Sequence, residues 1–166
     1  GGSSGRLFQT LRIGKGYTYG AYSRVPKRRD KAAFTISSSV RANATLASLQ
    51  IIQQMLIDYG DDFTDMDVSL TKNKVIKANT RAFESFGAKL GLLGTISSYD
   101  KPLDYVDKEQ ELLAGMTLED FKAVIATYIN EKNMLYLVVG DKATQLQEVK
   151  KLGKPVIELD IYGNKI

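Results

Sequence analysis

Neither cysteine nor histidine occurs in the 166 residues, and tryptophan is missing as well. Without cysteine there are no disulfides, zinc–thiolate sites or thiol nucleophiles. Without histidine, Ser-His-Asp and Cys-His catalysis are excluded, and a catalytic zinc loses its usual ligands. Only carboxylates remain to hold a metal, and the single candidate set is Asp61, Asp62, Asp65 and Asp67. Aspartates around a helix start more often serve the helix dipole than a metal, so no metal site is expected in this chain. By itself the chain is poorly equipped for catalysis.

Other absences narrow the partners. No apolar run reaches the length of a membrane span. Residues 1–12 lack the charged start and apolar stretch of a secretory signal. The opening Gly-Gly-Ser-Ser-Gly reads either as a cloning remnant or as a cut inside a longer chain. Charge of neither sign dominates, since 23 basic and 19 acidic residues leave a net +4. The one dense basic run is Lys27-Arg28-Arg29 with Lys31, interrupted by Asp30. No aromatic residue stands beside it to stack on bases, so it reads as a solvated hairpin tip and no nucleic-acid partner is expected.

What is present suits one globular domain over residues 1–166, with 43% apolar and 25% charged residues. Ser3 and Ser4 are placed to cap a helix carrying Leu7, Phe8 and Leu11, closed by a left-handed Gly14 or Gly16. Residues 17–25 read as a strand with Tyr17, Tyr19 and Ala21 on one face and Thr18, Gly20 and Tyr22 on the other. A turn at PKRRDK leads to a second strand over 32–40, in which Phe34, Ile36, Ser38 and Val40 alternate. Asn43 then caps an amphipathic helix carrying Leu46, Leu49, Ile52, Met55, Leu56 and Tyr59, which Gly60 stops.

Thr64 with Asp67 predicts a capping box opening a helix through Val68, Val75, Ala78 and Ala82. Gly87, Gly91 and Gly94 mark a break or a close approach, SSYDKPLDY reads as a connection, and residues 103–113 as a helix. Thr117 with Asp120 opens a further helix with Leu118, Phe121, Val124, Ile125 and Tyr128 on one stripe. MLYLVV (134–139) reads as a strand covered on both faces, followed by a short helix with Leu146, Val149 and Leu152, and VIELD (156–160) as a last strand. The sum is an α/β chain of the α+β, two-layer kind, with a largely antiparallel or mixed sheet and helices mainly on one face.

The stretch GRLFQTLRIGKGYTYGAYSR (5–24) holds the functional question. As a phosphate loop it fails, because Gly14, Gly16 and Gly20 place the third glycine one position late. The order helix, turn, strand would also bring phosphate to the wrong end of the helix dipole. As a structural turn it is unremarkable: glycines release the helix into a strand and tyrosines populate the sheet.

SSGRLFQTLRIGKGYTYGAYS also resembles the signature near the start of the C-terminal, non-metal half of the pitrilysin-type zinc peptidases, the M16 family. TKNKVIKANTRAFES is similar to that family's lysine-bearing helix, GMTLEDFKAVIATYI to the helix before its central strand, and MLYLVVGD to that strand. The resemblance implies a mitochondrial-processing-peptidase-like metallohydrolase domain that lacks the first strands and helix of the full domain. A sheet truncated in that way would leave an unpaired edge and predicts self-association. The family's catalytic half carries His-x-x-Glu-His and a distal glutamate, for which this sequence has no counterpart.

The resemblance therefore implies the inactive-type half of a clamshell peptidase, not catalytic alone, with zinc and a glutamate base on a partner half in the same chain or another subunit. It also implies that Arg12 and Tyr19 reach the peptide near the scissile bond, and it points to the bacterial periplasm. Read from the residues alone, Tyr19 serves equally as a buried sheet tyrosine and Arg12 as a partner of the helix terminus. Tyr17 shares the face of Tyr19 and has a weaker claim to the site, while Tyr22 is expected to pack. The alternative is a non-catalytic assembly or peptide-binding subunit of the same fold.

Overall fold

The computed structural model describes residues 3–80 and 83–166. The chain divides into two compact units: Gly1–Pro26 with Ala33–Ile57 and Glu131–Ile166, and Lys27–Ala32 with Asp58–Asn130. The architecture is α+β, with seven helices and a two-stranded antiparallel sheet among the described residues.

The first unit opens with α1 (residues 6–14), α-helical over Arg6–Phe8 and widened to a π-helix over Gln9–Gly14. Gly5, with no side-chain cap, precedes it, so Ser3 and Ser4 do not serve as expected. The helix closes through amides of Lys15, Gly16 and Tyr17 donating to the carbonyls of Thr10, Arg12 and Leu11. Of the two glycines considered for that turn, Gly16 takes the left-handed conformation, with φ +62°.

Strand β1 (Thr18–Arg24) follows and pairs with β2 (Thr35–Val40), slightly shorter than the sequence suggested. Phe34, Ile36, Ser38 and Val40 are half-buried, as their alternation predicts. β1 departs from alternation because the register shifts between Thr18 and Ala21. A bulge of this kind puts an extra residue on one strand and re-aims its side chains. Thr18 and Ala21 are consequently buried and Tyr19 and Tyr22 exposed, so Tyr19 and Ala21 do not share a face. Nor is Tyr22 buried in packing; its ring lies beside Gly20, where an added Cβ would come within 3.0 Å of it.

Helix α2 (Thr45–Asp58) begins after a short 3-10 turn at Ala42–Ala44 and buries Ser48 and Leu56. Glu131 ties the C-terminal part of this unit to it, accepting from Gln53 Nε2 at 3.2 Å, the Tyr136 hydroxyl at 2.8 Å and Lys154 Nζ at 2.8 Å. Two expected strands do not form. Residues 134–139 have no ladder partner among the described residues, and 156–160 make only the single bridge Leu159–Lys165. Apolar, β-branched composition favours extended backbone, but only a neighbouring strand can supply the ladder. Helix α7 (Lys142–Lys150) forms as predicted and is capped by Asp141, whose carboxylate accepts from the amides of Ala143 and Thr144.

The second unit holds α3 (Asp65–Thr80), α4 (Phe86–Tyr99), α5 (Tyr105–Gly115) and α6 (Leu118–Tyr128). Phe63, Val68 and Ile125 form its buried cluster, packed by Tyr59, Leu118, Phe121 and Ile129. The Phe63 ring stacks on Phe121 at 5.6 Å and meets Tyr59 edge-on at 5.9 Å. The capping box at Thr117–Asp120 is present in full. Its helix turns Ile125 inward but leaves Val124 and Tyr128 exposed, which narrows the expected stripe.

Ala82, assigned by periodicity to α3, lies outside the described residues. Contrary to expectation, α4 runs unbroken through Gly87, Gly91, Gly94 and the SSY of the expected connection. A helical glycine costs only about 1 kcal/mol relative to alanine, which weakens a helix without ending it. Asp100, left-handed at φ 50°, ends it instead.

Candidate functional site

The end of α1 and the first residues of β1 meet the end of β2 around an open cleft of about 660 Å³ in the first unit. Arg12 and Ile13 enter it from α1, Tyr17, Thr18 and Tyr19 from the turn and strand, and Ser39 and Arg41 from the far side of the hairpin. The turn brings the two predicted site residues together. The Arg12 guanidinium carbon lies 5.2 Å from the centre of the Tyr19 ring and 5.8 Å from that of Phe8. A guanidinium held over aromatic faces gains electrostatic attraction while keeping most of its donors free. Arg12 Nη1 also donates to the Thr18 carbonyl at 3.4 Å.

Tyr19 is not a buried sheet tyrosine: it is 91% exposed. The bulge that turns it outward is fixed by hydroxyls. Buried Thr18 Oγ1 accepts from the Gly20 amide at 3.0 Å and lies 2.6 Å from the Ser39 carbonyl, and Ser38 Oγ lies 2.9 Å from the Gly20 carbonyl. On the other side, the Arg41 amide donates to the Tyr17 carbonyl at 3.0 Å and pins the end of β2 against the turn. Tyr17 is half-buried in the cleft wall.

Sequence reasoning missed Arg41, Ser39 and Ile13. Ile13 and Arg41 border the elements that were read, so the signal available was that the ends of paired strands gather side chains from both.

The aspartates raised as a metal set are partly occupied otherwise. Asp67 Oδ2 accepts from the amide and the hydroxyl of Thr64, at 3.0 and 2.9 Å, and so serves the start of α3. Among the described residues no three His, Cys, Asp or Glu side chains converge as a metal would require. No helix among them is long and apolar enough to cross a membrane.

The family model for the peptidase M16 inactive domain matches residues 1–75, which include the whole of this cleft. Among solved structures, the chain is similar to a peptidase M16 inactive domain from Pseudomonas fluorescens, at 26% identity and a TM-score of 0.70. The first 75 of the 166 residues thus resemble the M16 inactive domain, and a solved structure of such a domain is similar over most of this chain. The alignment covers 79% of this chain and 31% of the Pseudomonas one. A protease from Helicobacter pylori shares the fold at 18% identity and a TM-score of 0.63, over 78% of this chain and 32% of that one. The chain thus spans about a third of the length of each relative. No curated protein matches it.

Proposed function

We propose that this chain is an M16-type domain, the accessory, substrate-binding half of a zinc-dependent endopeptidase. Zinc and the base that activates water belong to a metal-bearing partner half, because the sequence has no histidine or cysteine and no three carboxylates converge among the described residues. The observation that carries the reading is the Arg12 guanidinium stacked on an exposed Tyr19 at an open cleft. As water attacks a peptide carbonyl, negative charge grows on its oxygen, and donors fixed in advance help most where charge develops. The Tyr19 hydroxyl supplies one such donor. Arg12, with its planar fork, supplies others and holds the peptide backbone in register.

The test is peptide cleavage by this domain alone, by the metal-bearing half alone and by the two together, in the full-length protein or as a mixture. Restoration of cleavage on combination is expected, with Tyr19→Phe and Arg12→Ala each lowering kcat by about 10²–10³, the range for losing one oxyanion donor. Complex formation and turnover that ignore both substitutions would instead indicate an assembly subunit.

Self-association is part of the same proposal. Residues 134–139 present Leu135, Leu137 and Val139 at 99%, 79% and 91% exposure, without a charge or proline in the segment. An extended, apolar, unpaired segment is a template for another strand. Concentration-dependent sedimentation is expected, and Leu137→Lys should abolish it. A wild-type chain that stays monomeric up to high micromolar concentration would refute the association.

A further inference from the structure

The cleft contains a cation that the proposed chemistry does not use. Arg12 lies on the faces of Phe8 and Tyr19, spends one donor on the Thr18 carbonyl, and is the cation assigned above to the peptide backbone. Arg41, whose backbone is pinned to Tyr17, presents an exposed side chain with no ion pair or side-chain hydrogen bond among the described residues. No carboxylate lines the cleft with the two arginines. Two like charges in one concavity without a counter-ion raise the local positive potential, and the lowest-energy answer is an anion supplied by the ligand.

A guanidinium pairs best with a planar carboxylate, through two parallel charge-assisted hydrogen bonds. We infer that Arg41 is a specificity residue that selects peptides carrying a carboxylate, from an aspartate or glutamate side chain or from a free C-terminus, beside the segment held by Arg12 and Tyr19. The inference rests on the peptide-binding reading above and adds to it the class of peptide. Arg41 lines the cleft from just past the end of β2, and Arg12 from α1, so the carboxylate sits to one side of the backbone contacts rather than at the reacting carbonyl.

Three nine-residue peptides of one uncharged background, each with the same charge-neutral boron-dipyrromethene dye, test it on the intact chain by anisotropy: an amidated one with a central glutamate, an amidated one with glutamine there, and the glutamine peptide with a free C-terminus. The glutamate or the free-acid peptide should bind about tenfold tighter than the glutamine amide at low salt, and which one does so identifies the source of the carboxylate. The preference should shrink as salt screens the pair.

Arg41→Gln should bring the three peptides to a common affinity. Arg41→Lys should keep part of the preference, and Arg41→Glu with a central-lysine peptide should reverse it. Arg24→Gln, a charge-matched change outside the cleft, should retain the preference; its loss there would mean that net charge, not Arg41, is read. Equal binding of all three peptides by the wild-type chain overturns this inference and leaves the peptide-binding reading standing. Binding of none overturns both.

Discussion

The two units hold themselves together by different means. In the second, the work is done by apolar rings: Phe63 lies between Tyr59 and Phe121, over Val68 and Ile125. In the first, the end of the hairpin is held by hydroxyls and amides, with Thr18 and Ser38 satisfying the groups that the bulge releases. Apolar packing rewards burial without fixing direction, whereas hydrogen bonds set direction and leave adjacent side chains free to face water. The candidate site occurs where direction is controlled. Its arginines and Tyr19 are presented by a polar frame and contribute little to burial, so loss of stability and loss of binding should come from different substitutions.

The comparison breaks most visibly at Phe63. Phe63→Ala removes a buried ring and both of its aromatic contacts, and large-to-small changes of this kind cost about 3–5 kcal/mol. Urea denaturation should show the midpoint falling with little change in slope. A cost under about 1 kcal/mol would mean that the ring cluster is not the organising feature of its unit.

A middle-sized effect is expected from the polar tie at Glu131. Hydrogen bonds from Lys154, from the Tyr136 hydroxyl and from Gln53 hold the Glu131 carboxylate below its ordinary value of 4.5. A depressed pKa in the folded state means that the unfolded state binds the proton more readily. The stabilisation is therefore complete above the unfolded value and is lost as pH falls from about 4.5 through the lower folded value. The same cluster acts oppositely at high pH. Burial and the bond to Glu131 push the Tyr136 phenol above its ordinary value of 10. Its contribution is present below that value and fades as pH rises past it. Glu131→Gln should flatten the acid limb of a stability-against-pH curve, and Tyr136→Phe the alkaline one. An acid limb that is unchanged in Glu131→Gln would assign it to other carboxylates, such as Asp120, which the amide and hydroxyl of Thr117 hold low.

The tie at Glu131 also shows what a sequence can and cannot disclose. The Thr117–Asp120 and Thr64–Asp67 contacts were legible because each is complete within four residues. The hairpin was legible as a pair of strands, whereas Arg12 and Tyr19 were singled out only through the family resemblance, and it is the short turn between them that lets them meet. The bulge was not legible, because period-two alternation assumes one residue opposite one, and Gly20 alone does not announce the exception. Residues 134–139 read as a buried strand from composition, but burial and pairing are decided by neighbours distant in sequence. Arg41 escaped notice for the same reason: nothing local to it mentions Arg12. Gln53, Glu131, Tyr136 and Lys154 likewise meet only after folding.

The smallest effect has the opposite sign. Gly87, Gly91 and Gly94 were read as a break or a close approach, yet α4 passes through all three, and a Cβ built on any of them meets nothing within 4 Å. With the conformation helical and the space open, Gly91→Ala restricts the unfolded chain and adds no clash, so stabilisation by about 0.4–1 kcal/mol is expected in thermal unfolding. Leu90, which is 70% exposed, flanks that face. If another surface packs against those glycines in solution, the added methyl group will intrude, and the substitution will destabilise instead. The sign of one small number thus separates a helix that faces water along its glycines from one that is covered there. For the second unit, it tells whether the Phe63 cluster is the whole of its apolar packing or only the part that closes without a partner.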